Sequence, residues 1–336
     1  MKATPRSLTK RMLAVSVALT GVLCVAMLLG LSVGSSGSSL STVVSILTGS
    51  NPTDSMASSI IWQIRLPRVF LAALVGATLS LGGLVFQALL RNPLAEPYIL
   101  GISGGSAVGA IIGILAGLSR FPGVSLTSFA GSMITLGLIL MISFGQTLIK
   151  KESILLSGVM INSFCSAAIM FLISMTQDSR LHNIMFWLMG DLSMADMHQI
   201  AILAACLLPC FVLIFWLSHT MNILLMGKEL AQTMGVNVKL VTLALLATTS
   251  FMVSATVSSC GLLGFVGLVM PHLLRLLLGP DHRVLVPACL LGGGAYMVFC
   301  DLLARAIPEQ GEMPAGVITA MIGAPLFIIL LKKTKR

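Results

Sequence analysis

Long apolar runs separated by short charged clusters constrain this chain more than any other feature of its sequence. A helix that crosses a bilayer needs about 20 apolar residues, and runs of this kind recur along the chain. Only 9% of the 336 residues are charged, whereas about a quarter of the residues in a soluble domain are charged. The sequence therefore predicts an all-α, polytopic integral membrane protein with a single transmembrane domain over residues 1–336.

The hydropathy pattern predicts ten transmembrane helices. They cover residues 12–33, 68–90, 97–117, 125–147, 153–174, 196–217, 239–258, 261–278, 284–304 and 313–331. The first run follows basic residues, as a secretory signal does, but it is longer than a signal core of about 7–15 residues. We therefore expect it to be retained as the first helix. Residues 34–67 are then predicted to form an external loop.

The basic residues predict the orientation in the membrane. With the N-terminus inside, 15 lysines and arginines, including every lysine, fall on the cytoplasmic side, and 5 arginines fall outside. This asymmetry follows the positive-inside rule, and an even number of spans places both termini in the cytoplasm. Because the net charge of +9 follows from the topology, membrane lipid is the expected surrounding and no nucleic-acid partner is expected.

Motifs for catalysis and ATP hydrolysis are absent from the sequence. It contains no G-x-x-x-x-G-K-[ST] phosphate loop and no H-E-x-x-H zinc motif. The seven cysteines lie in or beside apolar runs, where a small packed residue is the expected role. The chain is therefore predicted not to be an enzyme, and no catalytic residue, metal or cofactor is assigned to it.

The predicted spans also carry almost no ionisable side chains. A carrier coupled to protons or sodium usually keeps such a group near the bilayer midplane, so an ion-coupled secondary transporter is the less favoured alternative. Either something outside the chain supplies the energy for transport, or the chain does not pump. The longest cytoplasmic loop, residues 218–238, is predicted to hold a short helix that Gly235 ends. That helix either caps the bundle or docks a soluble partner, and docking would supply the energy.

Six blocks of sequence, in a fixed order, are specific enough to indicate a family. They are RLPRVFLAALVGATLSLGG (65–83), RNPLAEPYILGISGGSAVGA (91–110), FWLMGDLS (186–193), GKELAQTMGV (227–236), GLLGFVGLVMPHLLRLLLGPDHR (261–283) and DLLARAIPEQGEMPAGVITAMIGAP (301–325). Together they resemble the permease subunits of ATP-binding-cassette (ABC) importers for iron–siderophore complexes, haem and vitamin B12, the large ten-helix importer class. The resemblance covers the chain from Arg65 onward.

The resemblance implies an importer permease of the bacterial cytoplasmic (inner) membrane that works by alternating access. An iron–siderophore complex is the expected cargo because it is the family's commonest, with vitamin B12 (cobalamin) or haem as the alternatives. Family permeases form homodimers or pairs of homologues. Two ATPase subunits, which bind ATP and Mg²⁺, dock on the loop between the sixth and seventh spans.

The residues that the resemblance assigns to ATPase coupling all lie in that loop. They are Gly227, Lys228, Glu229, Ala231, Met234, Gly235 and Val236. The family's usual pattern has two acidic residues after the first glycine and then two alanines. Here Lys228 replaces the first acid and Leu230 the first alanine, so the charge complementarity of the interface departs from the family pattern.

On the outer face, the resemblance implies docking of a periplasmic or lipid-anchored substrate-binding protein on Arg65, Arg68 and Arg305. The charge argument agrees, because a helix N-terminus disfavours a cation by about 0.3–1 kcal/mol and external arginines oppose the positive-inside bias. Carboxylates of a partner would explain why such arginines are present. Snorkelling to lipid phosphates is the alternative.

The translocation path is assigned to the fifth span, also by resemblance. Its weakly polar face consists of Asn162, Ser163 and Ser166, for which interhelical hydrogen bonding is the alternative role. The inner gate is expected at two turns, which hold Asn92 and Leu94 in one and Glu152 and Ser153 in the other.

Within the predicted eighth span, Gly261, Gly264 and Gly267 recur at helical spacing and are expected to share one packing face. His272 is expected to cap backbone carbonyls at the cytoplasmic end of that helix, without a catalytic role.

Overall fold

Helices account for the regular secondary structure of the chain. The computed structural model describes residues 5–33, 40–48, 55–144, 151–176, 178–308 and 311–334, and no strand occurs among them. The α-helices are α1 (Pro5–Ser32), α2 (Leu40–Leu47), α3 (Ser55–Ile60), α4 (Leu66–Leu90), α5 (Ile102–Leu115), α6 (Ser125–Phe144), α7 (Lys151–Ser174), α8 (Asp178–Leu188), α9 (Met197–Trp216), α10 (Ser218–Leu225), α11 (Lys228–Thr233), α12 (Val238–Cys260), α13 (Val266–Leu278), α14 (His282–Ala306) and α15 (Ala315–Thr334). Short turns of other helical types cover Ile61–Arg65, Pro97–Leu100 and Arg120–Val124.

Seven helical stretches in the described part of the chain are long and apolar enough to cross a membrane. They are Leu8–Ser32, Met56–Leu90, Arg120–Ile142, Leu156–Ser174, Met197–Trp216, Val238–Cys260 and His282–Ala306. Three shorter apolar helices, α5, α13 and α15, fall where the other three spans were predicted. The all-α, polytopic class is therefore confirmed. The number of crossings and the side of each terminus stay predictions.

Helix α4 forms the centre of the bundle and is buried along most of its length. Glycines let it pack closely on two neighbours. A Cβ at Gly76 would overlap the backbone of Gly293 in α14, and one at Gly83 would overlap the backbone of Gly267 in α13. Small residues allow such backbone contact inside membranes, where van der Waals packing drives helix association. The position of α4 therefore determines the positions of α13 and α14.

The chain between α4 and α5 turns back into the bundle. Arg91 ends α4 in a left-handed conformation, with φ of 50°. Pro97 nevertheless lies against Gly82 of α4, eight residues before the helix ends, a distance of about 12 Å along the axis. The predicted third span consequently starts as a short turn, and α5 begins only at Ile102, after Gly101 with φ of 66°.

The prediction of a continuous helix from residue 261 is wrong. Helix α12 ends at Cys260, where Gly261 takes a φ of 77°, and α13 starts at Val266, after Phe265 with a φ of 67°. Gly261 and Gly264 lie outside the helix and share no helical face with Gly267. The segment from 261 to 265 is irregular backbone between two apolar helices.

The two irregular segments, 92–101 and 261–265, bond to each other. The Tyr98 hydroxyl donates to the carbonyl oxygen of Leu263 at 3.1 Å and accepts from the amide of Leu263 at 3.2 Å. The Glu96 carboxylate accepts from the amide of Phe265 at 3.0 Å. Irregular backbone within a membrane protein needs protein partners, because lipid provides none. Two side chains of the first segment therefore stabilise the helix break in the second.

The predicted external loop, residues 34–67, is partly helical. Helix α3 and the turn Ile61–Arg65 lead directly into α4, so helical structure starts well before the predicted second span. Helix α2 covers another part of the predicted loop. Residues 34–39 and 49–54 lie outside the described residues.

Candidate functional site

The loop predicted to couple the chain to ATPase subunits folds as a helical hairpin. Helices α10 and α11 meet at Gly227, which has a φ of 132°, and Gly235 follows α11 with a φ of 80°. The amide of Val236 then bonds to the carbonyl oxygen of Ala231 at 3.0 Å, which closes the end of α11. The expected short helix with a glycine stop is present.

The surface of α11 combines charged and apolar side chains. Lys228 and Glu229 are exposed, as are the larger apolar side chains of Leu230 and Met234. Ala231 is buried, because it faces the bundle. Apolar side chains exposed beside charges are typical of a surface that contacts another protein. The residues predicted to couple to an ATPase lie together on this protruding hairpin, and the coupling itself stays a prediction.

The turn after α4 joins the hairpin to the predicted inner gate. The Arg91 guanidinium donates to the carbonyl oxygen of Leu224, in α10, at 2.6 Å. The next residue, Asn92, accepts from the amide of Leu94 at 3.0 Å and so stabilises the turn. The Leu94 side chain is exposed. Arg91 therefore ties the predicted gate directly to the hairpin.

Helix α7 presents the predicted translocation face. Asn162, Ser163 and Ser166 are all exposed. The two serine hydroxyls donate to backbone carbonyls one turn earlier in the same helix, each at 2.9 Å. Within the described chain, these hydroxyls therefore do not join α7 to other helices, and the role of the face stays a prediction.

The exposed surface of α7 is otherwise largely apolar. Met170 lies on the side of Ser163 and Ser166, whereas Met160, Phe164 and Phe171 are exposed on the side of the helix away from Asn162. The other predicted gate residues, Glu152 and Ser153, lie in the first turn of α7, but their side chains lie outside the described residues.

The three arginines predicted to dock a binding protein are buried within the chain. Arg68 donates through Nε to Asp301 at 2.8 Å and through Nη1 to Glu312. Arg305 donates through Nε to the other oxygen of Asp301 at 3.1 Å. One buried carboxylate in α14 thus serves two guanidinium groups.

Backbone carbonyls near the end of α1 accept from the same arginines. Arg65 donates to the carbonyl oxygen of Leu31 at 2.7 Å, and Arg305 donates to those of Gly30 and Val33, both at 2.9 Å. The charge argument for docking, which assumed that these arginines need carboxylates from a partner, is wrong because the chain supplies their partners. Docking on them stays a prediction.

A second ion pair stabilises the region after α8. Arg120 donates to Asp191 at 2.7 Å, and the amide of Asp191 donates to the carbonyl oxygen of Cys260 at 2.8 Å. Burial acts to raise the pKa of Asp191, but the Arg120 guanidinium and the hydrogen bonds from Ser193 outweigh it, so that the pKa lies below its ordinary value. The carboxylate is therefore ionised at neutral pH and pairs with Arg120, while the backbone amide of Asp191 joins this region to the end of α12.

His272 does not cap the end of α13. Its side chain is buried, and neither ring nitrogen has a hydrogen-bond partner among the described residues. The ring instead meets that of Phe327 edge-on, with 6.0 Å between centroids. The prediction of a carbonyl cap is wrong because His272 lies in the interior of the helix, well before its end at Leu278.

Sequence reasoning misses several side chains that organise this arrangement. Asp301 precedes Arg305 by four residues, and an acid–base pair at this helical spacing is a signal that could have identified it. Glu96 and Tyr98 offer no such local signal, because their partners lie more than 160 residues later in the chain.

Comparison with known proteins gives a consistent set of relatives. The model of the FecCD transport family matches residues 22–333. The vitamin B12 import system permease protein BtuC of Salmonella arizonae is 40% identical over 305 residues, which cover 88% of this chain and 92% of the relative. The proteins of the same name from Salmonella typhi and Escherichia coli O9:H4 are each 39% identical, over 82% of this chain and 84% of the relative.

Two solved structures have a similar fold. One, described as a metal-chelate type ABC transporter in an inward-facing conformation, is 31% identical with a TM-score of 0.85, and the match covers 95% of this chain and 99% of that one. The other is PsaBC from Streptococcus pneumoniae in complex with Fab, 17% identical with a TM-score of 0.57 over 86% of this chain and 95% of that one. The latter likeness concerns the fold alone.

Proposed function

The chain belongs to the FecCD transport family and is a permease of an ABC importer in the bacterial cytoplasmic membrane, and on that premise we propose that its cargo is vitamin B12 or a closely related corrinoid. The observation that carries this proposal is the 40% identity, over 88% of the chain, to a vitamin B12 import permease. The iron–siderophore cargo expected from the sequence has less support. Cobalamin is itself a metal chelate, so the structural relative described as a metal-chelate transporter is compatible with it.

The character of α7 supports a large cargo. Its exposed face is broad and largely apolar, and Asn162, Ser163 and Ser166 add only weakly polar groups to one side of it. Such a surface holds no fixed charge that would bind a chelate tightly and delay its release. We propose that a second copy of the chain brings its own α7 opposite this face and that the cargo passes between the two helices.

The energy for transport is proposed to come from two ATPase subunits that dock on α11 and bind ATP and Mg²⁺. Lys228, Glu229 and the exposed Leu230 and Met234 would form the contact. A shift of the hairpin would reach Asn92 and Leu94 through the hydrogen bond of Arg91 to α10. This connection gives ATP binding a direct mechanical route to the inner gate.

A substrate-binding protein is proposed to dock on the outer face near Arg65, Arg68 and Arg305. Because these guanidinium groups already have partners, an acidic side chain of the binding protein would have to compete for them. Glu312 is the group that it would displace, since its side chain is 46% exposed while the Arg68 that it bonds is 4% exposed.

Uptake by the reconstituted complex tests the cargo. The permease is placed in proteoliposomes with its own ATPase and binding protein, and radiolabelled cyanocobalamin and a ferric siderophore are supplied in parallel. We expect ATP-dependent accumulation of cyanocobalamin at least about tenfold faster than that of the ferric complex, a difference of ~1.4 kcal/mol in the free energy of activation. Faster uptake of the ferric siderophore would overturn the corrinoid proposal and leave the importer assignment intact.

A further inference from the structure

An apolar groove opens on the outside of the bundle between α1 and α9. Its volume is about 460 Å³, and its lining includes Leu8 and Met12 of α1, Val212, Phe215 and Trp216 of α9, and Arg283 of α14. The same two helices carry further exposed apolar side chains, among them Leu13, Val17 and Leu208. Apolar helix surfaces of this kind face lipid in a membrane protein, so the groove is continuous with a lipid-facing surface.

Positive charge surrounds the groove at one end. Arg283 lines it, and Lys10 and Arg11 are exposed on other sides of the same turn of α1. Arg11 donates to the carbonyl oxygen of Leu278 at 2.5 Å, which draws α1 to the turn between α13 and α14. Among the described residues, Asp281 is the only acidic side chain bonded to any of these three cations. Three cations against one carboxylate leave a net positive charge.

The Arg283 side chain is held in place yet keeps a donor group free. Its Nε and Nη2 donate to Asp281 at 3.0 and 2.7 Å, and Asn222 of α10 fixes Asp281 from the other side at 2.8 Å. In the part of the chain that the structure describes, Nη1 makes no hydrogen bond, and the Arg283 side chain is 40% exposed. A guanidinium oriented in this way is well suited to bind a phosphate oxygen, because its geometry is set before binding.

Trp216 gives the groove a second feature of a headgroup site. Its side chain is 77% exposed at the end of α9, and tryptophan concentrates at the membrane interface, at the level of the lipid headgroups. On the predicted topology this end of the bundle faces the cytoplasm. A basic pocket between helices at the cytoplasmic surface is a typical binding site for anionic headgroups.

We propose that the groove binds an anionic phospholipid of the cytoplasmic leaflet, with its phosphate on Arg283 and its acyl chains against α1 and α9. The site is separate from the cargo path, so it does not depend on which chelate the permease carries. Helix α10 contributes Ser218 to the groove and leads into α11. A bound lipid would therefore support the base of the coupling hairpin.

Quenching of tryptophan fluorescence by brominated lipids tests the proposal. The chain has three tryptophans, of which Trp187 is buried and Trp62 is exposed near the opposite end of the bundle. A full-length protein carrying Trp62→Phe therefore leaves Trp216 as its only exposed tryptophan. It is reconstituted into phosphatidylcholine bilayers that contain rising fractions of brominated phosphatidylglycerol or, separately, brominated phosphatidylcholine.

The concentration dependence of quenching gives a binding constant at the groove for each lipid. We expect the ratio of the constant for phosphatidylglycerol to that for phosphatidylcholine to be at least about five, the factor expected for one basic contact at the membrane surface. In this background, Arg283→Gln should bring the ratio close to one. Arg283→Lys should keep most of the preference. Lys239→Gln removes an exposed lysine at the same predicted membrane surface but outside the groove, and should leave the ratio unchanged.

Several outcomes would overturn the proposal. Equal quenching by the two lipids means that the groove has no headgroup preference. An equal loss in Lys239→Gln means that diffuse surface charge, and not the groove, attracts the lipid. Absence of quenching by either lipid means that protein covers the groove. The emission of buried Trp187 reports folding. If Arg283→Gln fails to fold, the lipid preferences of the Trp62→Phe protein, of Arg283→Lys and of Lys239→Gln decide between these outcomes.

Discussion

Neutralising Asp301 is the most direct test of the buried arginine cluster. The Asp301 side chain is 1% exposed and bonds to Arg68 and Arg305, which are 4% and 5% exposed. Removing one partner of a buried ion pair costs about 3–5 kcal/mol, because it leaves a charge that is neither paired nor solvated. In Asp301→Asn, Arg68 still has Glu312 but Arg305 keeps only backbone carbonyls. We therefore expect a loss of ~3–5 kcal/mol, or roughly 6–10 °C in melting temperature at about 2 °C per kcal/mol.

Thermal unfolding of the purified protein in detergent measures this effect. The fraction of protein that stays monodisperse after heating gives the melting temperature. Glu312→Gln is the matched control. It also removes a carboxylate from the cluster, but the Glu312 side chain is 46% exposed. An exposed ion pair contributes only about 0–1 kcal/mol, so this variant should shift the melting temperature by at most ~2 °C. If Asp301→Asn is no less stable than Glu312→Gln, the assignment of Asp301 as the central partner of the cluster is refuted.

Three further predictions follow from contacts elsewhere in the bundle. Gly83→Ala places a methyl group against the backbone of α13 and should destabilise the protein by about 1–3 kcal/mol or more in thermal unfolding. Gly21→Ala is the control: its methyl group meets no atom within 4 Å, so this variant should be neutral or slightly stabilising. Arg91→Met removes the hydrogen bond between the gate turn and α10. It should preserve ATPase docking but lower cargo uptake per ATP hydrolysed about tenfold or more. An unchanged ratio of uptake to ATP hydrolysis in the reconstituted complex would contradict this. The pKa of Asp281 is lowered from 3.8 to about 2, and hydrogen bonds from the Arg283 side chain are the largest cause. The ionised Asp281 therefore stabilises the folded protein fully above about pH 4, and this stabilisation is lost as the pH falls toward 2. The stability difference between the wild type and Asp281→Asn should therefore be seen near neutral pH and shrink on acidification.

Local patterns in the sequence are sufficient to predict the class of fold and the short helix of the coupling loop. Runs of apolar residues indicate helices wherever they occur, and each of the ten predicted spans contains an apolar helix. The glycine after α11 signals its end without help from distant residues. Both features depend on sequence neighbours, which is why they are predictable.

The break between α12 and α13 depends on distant partners and is not predictable in this way. The glycines at 261, 264 and 267 fit a helix by their spacing, and local sequence gives no reason to expect a break. Tyr98 and Glu96, which satisfy the irregular backbone there, belong to a segment that local sequence places at the membrane surface. Only packing along α4 brings the two segments together.

The arginine cluster shows a related difficulty. Charge counting treats the external arginines as cations in need of a partner, since it considers each charge without its surroundings. The fold brings Asp301 and the carbonyl oxygens at the end of α1 to them. The arginines therefore stabilise this end of the bundle, whether or not a binding protein also contacts them.

The source of energy for transport tests the central claim most directly. The permease is reconstituted with its ATPase and binding protein, and the initial rate of labelled cyanocobalamin uptake is measured with and without ATP, vanadate and ionophores. We expect uptake that requires ATP, is abolished by vanadate and is unaffected when proton and sodium gradients are collapsed. Uptake by the permease alone, driven by an imposed ion gradient without ATPase subunits, would contradict it.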